Sequence, residues 1–447
     1  MASKTLLIKG GTIVTMNRER RIIKDGAILV EDGRITSIGK ADEFGGEKAD
    51  RVIDASGKYI FPGFINCHTH MFQVLLRDVA MDMVLLDWLK TSIWPSIRHL
   101  REEDIYIAAK LGIVENIRSG VTCIVDNQYP RNYEPSIRAM HESGIRGVLA
   151  CGYYEINVPE DLRMDADKAL KMCEEMIRRW HGRDEGRLRV CPAPMHPCFA
   201  SKELLLKSKE LADKYQTYLH VHTAESVKDV ELLKQMTGKT DVEYLHELGI
   251  LDERFHAVHA VQVSPEEMRL LASSHANIIH NPISNAYTGA GVAPIPEYLR
   301  LGCNVALGTD GPASGGNHDF LQSMKFTALI HKGFRRNPTV MRVSEILEMA
   351  TINGAKALGM EGEIGSLEAG KRADLIILDL HKPHTVYVHD PIANLVYAAT
   401  SENIETVIVD GEILMEDRRI TYIDEEEVMA ETSKVAERLM EKFSRRG

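Results

Sequence analysis

Two histidines in the stretch FINCHTHMFQ (64–73) stand one residue apart at the end of an apolar run. The run predicts a β-strand, and residues two apart on a strand point to the same face, so His68 and His70 present their imidazoles together. Neutral imidazole is a common ligand of divalent first-row metals. The pair alone leaves two interpretations open, a ligand pair or two incidental histidines, and a metal site requires further ligands elsewhere in the chain.

Further side chains suited to metal binding or acid–base chemistry follow other apolar runs. They are His196 in APMHP, His222 and Glu225 in HVHTAE, His259 in FHAVHAV and Asp310 in LGTDG. Buried imidazoles and carboxylates are costly without partners, and one shared metal ion satisfies several of them at once. Three imidazoles and one carboxylate, with room for water, are typical of a catalytic site rather than a closed structural one.

The chemistry expected of such a site is hydrolysis. A bound Zn²⁺ or Fe²⁺ lowers the pKa of its water toward neutrality, which makes hydroxide available as the nucleophile. Glu225, three residues after His222, faces both water and substrate and suits general acid–base catalysis. The alternative for Glu225 is a residue in the first turn of a helix, favoured there by the helix dipole. The HTAE context favours catalysis.

The middle of the chain alternates short apolar runs with longer amphipathic segments. Strand–helix alternation repeated eight times predicts a (β/α)₈ barrel, in which functional residues lie at the carboxyl ends of the strands. The alternative is a doubly wound open sheet, but no Gly-rich phosphate loop follows the first strand, and GPASGG (311–316) lacks a Walker lysine. The strand candidates are YIFPGFINCHTH (59–70), VTCIVDN (121–127), RGVLACGYY (146–154), LRVCPAPMHP (188–197), TYLHVHTAE (217–225), FHAVHAV (255–261), NIIHNPISN (277–285) and NVALGTDG (304–311).

The two ends of the chain have a different texture. Short β-branched runs broken by Gly-containing turns fill residues 1–60 and return in GKRADLIILDL (370–380) and IETVIVDGEILMEDRRITYI (404–423). We therefore expect a small β-sandwich built from residues 1–60 and 366–447, which encloses a barrel of residues 61–365. The tail has helical periodicity and is expected to pack on the surface as a C-terminal helix.

Composition narrows the classes of partner. The chain has 447 residues and a formal net charge of −11, which argues against nucleic-acid or anionic-membrane surfaces. No apolar run reaches bilayer length, so we expect a cytoplasmic protein without membrane or nucleic-acid partners. The seven cysteines form no C-x-x-C pair and are expected to be buried, reduced thiols.

Taken together, these motifs resemble the amidohydrolase superfamily. The residues that carry the resemblance are PGFINCHTH, HVHTAE, HNPISN, LGTDG and the closing ATINGAKALGMEGEIGSLEAGKRADLIILD (350–379), and it covers essentially the whole chain. The most similar branch contains the S-adenosylhomocysteine/methylthioadenosine deaminases and the triazine hydrolases. SNAYTGAGVAPIPEYLRLGCNVALGTD and MKFTALIHKGFRR particularly resemble the triazine enzymes.

The resemblance implies a metal-dependent hydrolytic deaminase that acts on an amino-substituted heterocycle of the purine, pyrimidine or s-triazine type. One divalent ion, Zn²⁺ or alternatively Fe²⁺, would be held by His68, His70, His222 and Asp310. His259 would hydrogen-bond the attacking water, Asp310 would help take its proton, and Glu225 would protonate a ring nitrogen. A homodimer is expected from the family alone.

Several residues are candidates for substrate contact, and for some of them a purely structural role is the alternative. Gln73 follows the metal motif closely enough to line a pocket, as do Trp88 and Asn285, although the helical spacing around Trp88 also suits a core residue. Ser314 either touches substrate or caps the following helix. His196 matches the position of a purine-contacting histidine in adenosine-type deaminases, or is a loop histidine before proline.

Departures from the resemblance bear on the substrate. Ile97 stands where those deaminases carry a glutamate for the ribose hydroxyls, and CGYYE (151–155) stands where they use arginine for an amino-acid carboxylate. These departures weaken a nucleoside substrate. A triazine-type chlorohydrolase, an adenosine, methylthioadenosine or S-adenosylhomocysteine deaminase, and a catalytically inactive scaffold remain alternatives. The sequence leaves open the heterocycle, the leaving group and the metal.

Overall fold

The N-terminal strands form one half of a terminal sheet in the computed structural model, which describes residues 4–129 and 132–444. They are β1 (Thr5–Val14), β2 (Ile22–Glu31), β3 (Arg34–Lys40), β4 (Arg51–Asp54) and β5 (Tyr59–Pro62). A bulge at Gly10 and Gly11 divides β1, which pairs with β4 before the bulge and with β5 after it. Gly10 has φ +86°, a conformation that glycine adopts without steric cost.

Eight parallel strands make up the middle of the chain. They are β6 (Phe64–Thr69), β7 (Val121–Gln128), β8 (Arg146–Tyr153), β9 (Leu188–Pro194), β10 (Leu219–Thr223), β11 (Phe255–His259), β12 (Asn277–His280) and β13 (Asn304–Leu307). They form two four-stranded sheets, β6 to β9 and β10 to β13, whose edges meet at β9–β10 and at β13–β6. Each predicted apolar run contains one of these strands, and the predicted (β/α)₈ barrel is confirmed.

The C-terminal strands complete the terminal sheet. They are β14 (Leu375–Leu378), β15 (Ile404–Val409), β16 (Glu412–Glu416) and β17 (Arg419–Ile420). β14 pairs antiparallel with β5, so strands from both ends of the chain belong to one nine-stranded sheet. This confirms the β module composed of both termini. β5 runs to Pro62, so the sheet extends two residues past the expected boundary at residue 60.

Helices surround the barrel and also lie within the segments that connect its strands. They are α1 (Leu85–Trp88), α2 (Trp94–Ile97), α3 (Glu102–Arg118), α4 (Glu134–Ser143), α5 (Ala166–Trp180), α6 (Lys202–Lys214), α7 (Val227–Thr237), α8 (Asp241–Glu247), α9 (Pro265–Ser273), α10 (Pro282–Tyr287), α11 (Ile295–Arg300), α12 (Pro312–Gly315), α13 (Phe320–Arg335), α14 (Val343–Ala350), α15 (Ile352–Ala357), α16 (Pro391–Tyr397) and α17 (Glu425–Ser444). A π-helical turn, Leu89–Ile93, joins α1 to α2. None of the helices within the described ranges has the length and apolarity needed to cross a bilayer.

The C-terminal helix α17 packs on the barrel. Arg438 pairs with the buried Asp104 at the start of α3, and Arg118 at the end of α3 pairs with Glu425. Leu439 is fully buried in an apolar cluster that also contains Trp88. The predicted helix is therefore present, and its apolar face covers the barrel rather than the terminal sheet.

A buried ion network joins the barrel to the terminal sheet. Arg146, at the start of β8, donates to Asp374 from Nε over 2.7 Å and to Asp410 from Nη2 over 2.5 Å. Arg146 and Asp374 are each only 2% exposed. Removing one member of a buried pair leaves a desolvated charge without a partner, which is strongly destabilising.

Replacing Arg146 by methionine is expected to lower the free energy of unfolding by about 3–5 kcal/mol, because the buried Asp374 would lose its ion pair and Asp410 would keep only Arg372, whose Nε lies 3.6 Å away. Denaturant unfolding measures this difference. The matched control is Lys207→Met, which removes an exposed ion pair with Asp167 and is expected to cost less than about 1 kcal/mol. Equal costs for the two variants would contradict a joining role for Arg146.

Candidate metal and catalytic site

The predicted metal-ligating residues meet at the carboxyl ends of the barrel strands. His68 lies near the end of β6, His222 near the end of β10, and Asp310 follows β13. Asp310 Oδ1 lies 3.5 Å from His68 Nε2 and 3.4 Å from His70 Nε2. Ligand atoms of His68, His70 and His222 all lie within 4.8 Å of one another. These distances suit a single shared ion.

The other ring nitrogen of each histidine is held from behind. His70 Nδ1 donates to the carbonyl of Asn127 over 2.6 Å, and His222 Nδ1 donates to the carbonyl of Met195 over 2.7 Å. His68 Nδ1 lies 2.8 Å from His220 Nε2. Nδ1 is thereby used for orientation, and the Nε2 lone pairs face the common point, as in metal sites whose outer partners fix the ligand rings.

Burial and charge set the protonation states that a metal requires. Burial lowers the pKa of His70 to about 4, and it also lowers the pKa values of His68 and His222. Burial alone would raise the pKa of Asp310, but the electrostatic effects of the neighbouring histidines, His68 first, hold it well below its usual range. Three neutral imidazoles and one carboxylate are the result. This donor set fits one divalent ion, and the buried His68 Nε2 has no hydrogen-bond partner among the described residues.

Two further groups stand beside the donor set. Glu225 follows β10, and its Oε2 lies 3.6 Å from His259 Nε2, at the end of β11. Burial raises the pKa of Glu225 to about 7, so this carboxyl can hold or release a proton near neutral pH. His259 Nδ1 donates to Asn285 Oδ1 over 2.7 Å, and its Nε2 lies 3.9 Å from Asp310 Oδ2. The arrangement suits proton transfer next to a metal.

Left-handed backbone occurs where these side chains turn into the site. His259 has φ +72°, Asp310 has φ +59°, and Ala224, which precedes Glu225, has φ +47°. Such conformations are costly for residues with a Cβ and persist where surrounding structure enforces them, often at functional sites. The backbone therefore aims these side chains at some cost in strain.

A cavity that opens to solvent lies over the donor set. Its polar lining consists of His70, Gln73, His196, His222, Glu225, Asp229, His259, Ser284, Thr288, Asp310 and Ser314. The apolar lining consists of Leu85, Leu86, Trp88, Leu89, Tyr129, Tyr154, Met195 and Phe199, which pack in one cluster. This combination of aromatic surface with a few convergent polar groups suits a flat heterocyclic ligand.

The cavity wall includes four of the five predicted substrate contacts, namely Gln73, Trp88, His196 and Ser314. The Oε1 of Gln73 is buried without a hydrogen-bond partner among the described residues. Ser314 Oγ lies 3.1 Å from Ser284 Oγ, which itself donates to Asp310 Oδ2. Asn285 is absent from the wall, because its carboxamide lies behind His259 and orients that ring.

His196 contacts two buried carboxylates, a contact that the sequence does not predict. Its Nε2 lies 3.1 Å from Asp241 Oδ1 and 3.4 Å from Asp229 Oδ2. Burial alone would lower the pKa of His196, but the electrostatic effects of Cys198, Asp241 and Asp229 raise it well above the usual value. Nε2 of His196 thus faces the two carboxylates, and its Nδ1 accepts the backbone N–H of Cys198 over 3.2 Å.

Sequence reasoning missed several residues in and around the site. The aromatic wall of Tyr129, Tyr154 and Phe199 comes from loops after three different strands, and no spacing rule connects these positions. His220 was also missed, although the strand alternation that pairs His68 with His70 equally places His220 on the same face as His222. That signal was present in LHVHT.

Comparison with known proteins settles the family. The model of the amidohydrolase family matches residues 59–414. The chain belongs to the amidohydrolase family. A 5-methylthioadenosine/S-adenosylhomocysteine deaminase of Desulforamulus reducens is 39% identical over 435 residues, which is 97% of this chain and 99% of that protein.

Two solved structures extend this similarity. An adenosine deaminase from Xanthomonas campestris with bound zinc has a TM-score of 0.92 at 27% identity, covering 97% of this chain and 98% of that one. Atrazine chlorohydrolase from Arthrobacter aurescens, complexed with zinc, has a TM-score of 0.90 at 27% identity, covering 96% and 100%. The predicted family, the branch with its two kinds of relative, and the predicted class of hydrolytic deaminase are confirmed.

Proposed function

We propose that this amidohydrolase removes ammonia from an amino-substituted purine carried as an adenosine-type nucleoside. The main observation in support of deamination is the position of Glu225. This carboxyl, whose pKa burial raises to about 7, lies beside a donor set of three neutral imidazoles and one carboxylate. The 39% identity to a 5-methylthioadenosine/S-adenosylhomocysteine deaminase over 97% of this chain supports deamination of a nucleoside. This outweighs the absence of a ribose-binding glutamate at Ile97.

We assign His68, His70, His222 and Asp310 as the residues that would hold one divalent ion, with Zn²⁺ as the first candidate and Fe²⁺ as the alternative. A divalent ion supplies a Lewis acid that makes water acidic enough to attack near neutral pH. The zinc in both solved relatives supports this choice.

The chain's own groups then move the protons. Glu225 gives its proton to the ring nitrogen next to the carbon that bears the amino group, which makes this carbon more electrophilic. Asp310 takes a proton from the attacking water, and His259 hydrogen-bonds the oxygen that becomes attached to the ring. Asp310 passes this proton to the amino group, the carbon–nitrogen bond breaks and ammonia leaves, and the remaining proton of the new hydroxyl returns to Glu225 as the ring carbonyl forms.

The cavity lining favours a substituent without negative charge. Among the described residues that line the cavity, none is lysine or arginine, whereas three are carboxylates. A 5′-deoxy or 5′-methylthio group suits the apolar cluster, whereas an amino-acid carboxylate would find no cationic partner there.

An ammonia-release assay tests the proposal. Zinc-loaded protein is offered adenosine, 5′-deoxyadenosine, methylthioadenosine, S-adenosylhomocysteine, guanine and melamine, and chloride release from atrazine is followed in parallel. We expect the highest kcat/KM for the uncharged 5′-substituted nucleosides. Preferential chloride release would support the triazine alternative, and no turnover of any substrate by fully metallated protein would support a scaffold.

The absence of a side chain at Gly311 leaves room for the Gln73 carboxamide in the cavity wall. A Cβ at residue 311 would lie 2.0 Å from Gln73 Oε1, and Gln73 is only 1% exposed. Gly311→Ala is therefore expected to displace this carboxamide and to lower kcat/KM by about tenfold, the effect of losing one hydrogen bond of roughly 1.4 kcal/mol. Steady-state kinetics on the best substrate measures the effect.

Two controls isolate the role of Gln73. Gly315→Ala, at the end of the short helix α12 that Gly311 precedes, adds a Cβ no closer than 3.4 Å to its neighbours and should leave kcat/KM unchanged. If the effect passes through Gln73, adding Gly311→Ala to a Gln73→Ala protein should cause little further loss. A full second loss in that background would show that Gly311 acts otherwise.

We also propose a cytoplasmic homodimer. All seven cysteines are buried and free, which supports a reducing compartment. Light scattering coupled to size exclusion tests the dimer, and cell fractionation tests the location.

A further inference from the structure

Two further histidines continue inward from the metal site through the barrel core. His220, on β10, lies between His68 and His256: its Nε2 is 2.8 Å from His68 Nδ1, and its Nδ1 is 3.1 Å from His256 Nδ1. His256, near the start of β11, ends the series with its Nε2 2.8 Å from the carbonyl oxygen of Ala357, the last residue of α15. All three rings are at most 1% exposed.

The Ala357 carbonyl fixes the direction of every hydrogen bond in this series. A carbonyl oxygen only accepts, so His256 Nε2 carries a hydrogen, and Nδ1 of the neutral ring is left as an acceptor. His220 must then donate from Nδ1 and accept at Nε2. His68 in turn donates from Nδ1, which leaves the lone pair of its Nε2 free at the metal site.

We propose that His220 and His256 are positioning residues that hold His68 in the tautomer and orientation that bind the metal. The inference takes the ligand role of His68 from the proposed function. His70 and His222 reach a backbone carbonyl directly, whereas His68 reaches one only through two other histidines. The affinity of the metal site therefore depends on the Ala357 carbonyl, which lies at the other end of the barrel, beyond the amino ends of the strands.

The cost of this arrangement supports a functional reason for it. Three imidazoles in a barrel interior are desolvated, and burial lowers the pKa values of His220 and His256, that of His256 to about 4. Apolar side chains would fill the same volume without this cost. The fully hydrogen-bonded series gives one defined proton arrangement, which a packed apolar core could not impose on His68.

Zinc affinity of two His256 variants tests the proposal. Phenylalanine keeps the ring that stacks on Tyr218, with centroids 5.0 Å apart, but removes both nitrogens. Glutamine keeps the direction, because its amide nitrogen donates to the Ala357 carbonyl and its oxygen accepts from His220. Competition of metal-free protein with a chromogenic zinc chelator should show about 10- to 100-fold weaker binding for His256→Phe, and affinity close to that of the unchanged protein for His256→Gln.

The control is His331→Phe, which removes a fully buried histidine of α13 outside the series and should leave zinc affinity unchanged. Unchanged affinity in His256→Phe, or equal weakening in the Phe and Gln variants, would overturn the proposal. Absence of stoichiometric zinc from the unchanged protein would instead overturn the proposed metal site. If melting of metal-free His256→Phe shows that it does not fold, His220→Met and His220→Gln pose the same comparison one position closer to His68.

Discussion

Replacing Glu225 by glutamine should lower kcat by about 10³-fold, within the 10²- to 10⁴-fold range of general acid–base catalysis, while the protein keeps its metal. Burial raises the pKa of the Glu225 carboxyl to about 7, so the group can deliver a proton to the substrate ring at neutral pH. Glutamine has the same shape but cannot give up a proton. Ammonia release measures kcat, and elemental analysis measures the metal.

The control for Glu225→Gln is Glu267→Gln. Glu267 is also buried, at 3% exposure, but it serves in the capping box of α9, outside the cavity wall. We expect this change to leave kcat unaffected. Near-normal turnover in Glu225→Gln would remove Glu225 from the proton path, and loss of the metal from that variant would identify it as a ligand instead.

Strand alternation explains why so much of the barrel and its donor set could be predicted. A fully buried parallel strand is a short apolar run, and its last inward-facing residues lie at the barrel mouth. His68 on β6 and His70 directly after it follow this rule, and His222 follows it on β10. The structure brings them together with Asp310 because the carboxyl ends of all eight strands converge at one end of the barrel.

Residues whose positions depend on tertiary packing could not be predicted in this way. The sequence suggests that Asn285, which follows the strand run NIIH, lines the pocket. Its carboxamide instead lies behind His259, where its oxygen accepts the Nδ1 hydrogen of that ring. The partners of His196 lie on α7 and α8, 33 and 45 residues further along the chain. Only the packing of these helices against the barrel brings the charges together.

The C-terminal helix illustrates a further limit. Its periodicity predicts an amphipathic helix, and the sequence places it after the last strands of the terminal sheet. Periodicity does not say which surface the apolar face will cover. Leu439 joins the apolar cluster beside the cavity, and Arg438 pairs with Asp104 at the start of α3, so the end of the chain supports the functional end of the barrel.

Removing a metal ligand is the other change with a very large expected effect. His222→Gln keeps a hydrogen-bond donor for the Met195 carbonyl but takes away the imidazole nitrogen that faces the shared point. We expect the protein to lose stoichiometric zinc and kcat/KM to fall by about 10³- to 10⁴-fold, because a metal supplies several kcal/mol of transition-state stabilisation. Removal of the metal from the unchanged protein with a chelator should have the same effect, and Zn²⁺ should reverse it.

Thermal unfolding separates this loss of metal from a loss of structure. An ion that binds only the folded state raises stability by about 2.7 kcal/mol at one hundred times its dissociation constant, so zinc should raise the Tm of the metal-free protein. His222→Gln should have a similar Tm without zinc and gain little when zinc is added. A full zinc-dependent rise in this variant would contradict the ligand role of His222, since the remaining histidines and Asp310 would then be sufficient to hold the ion.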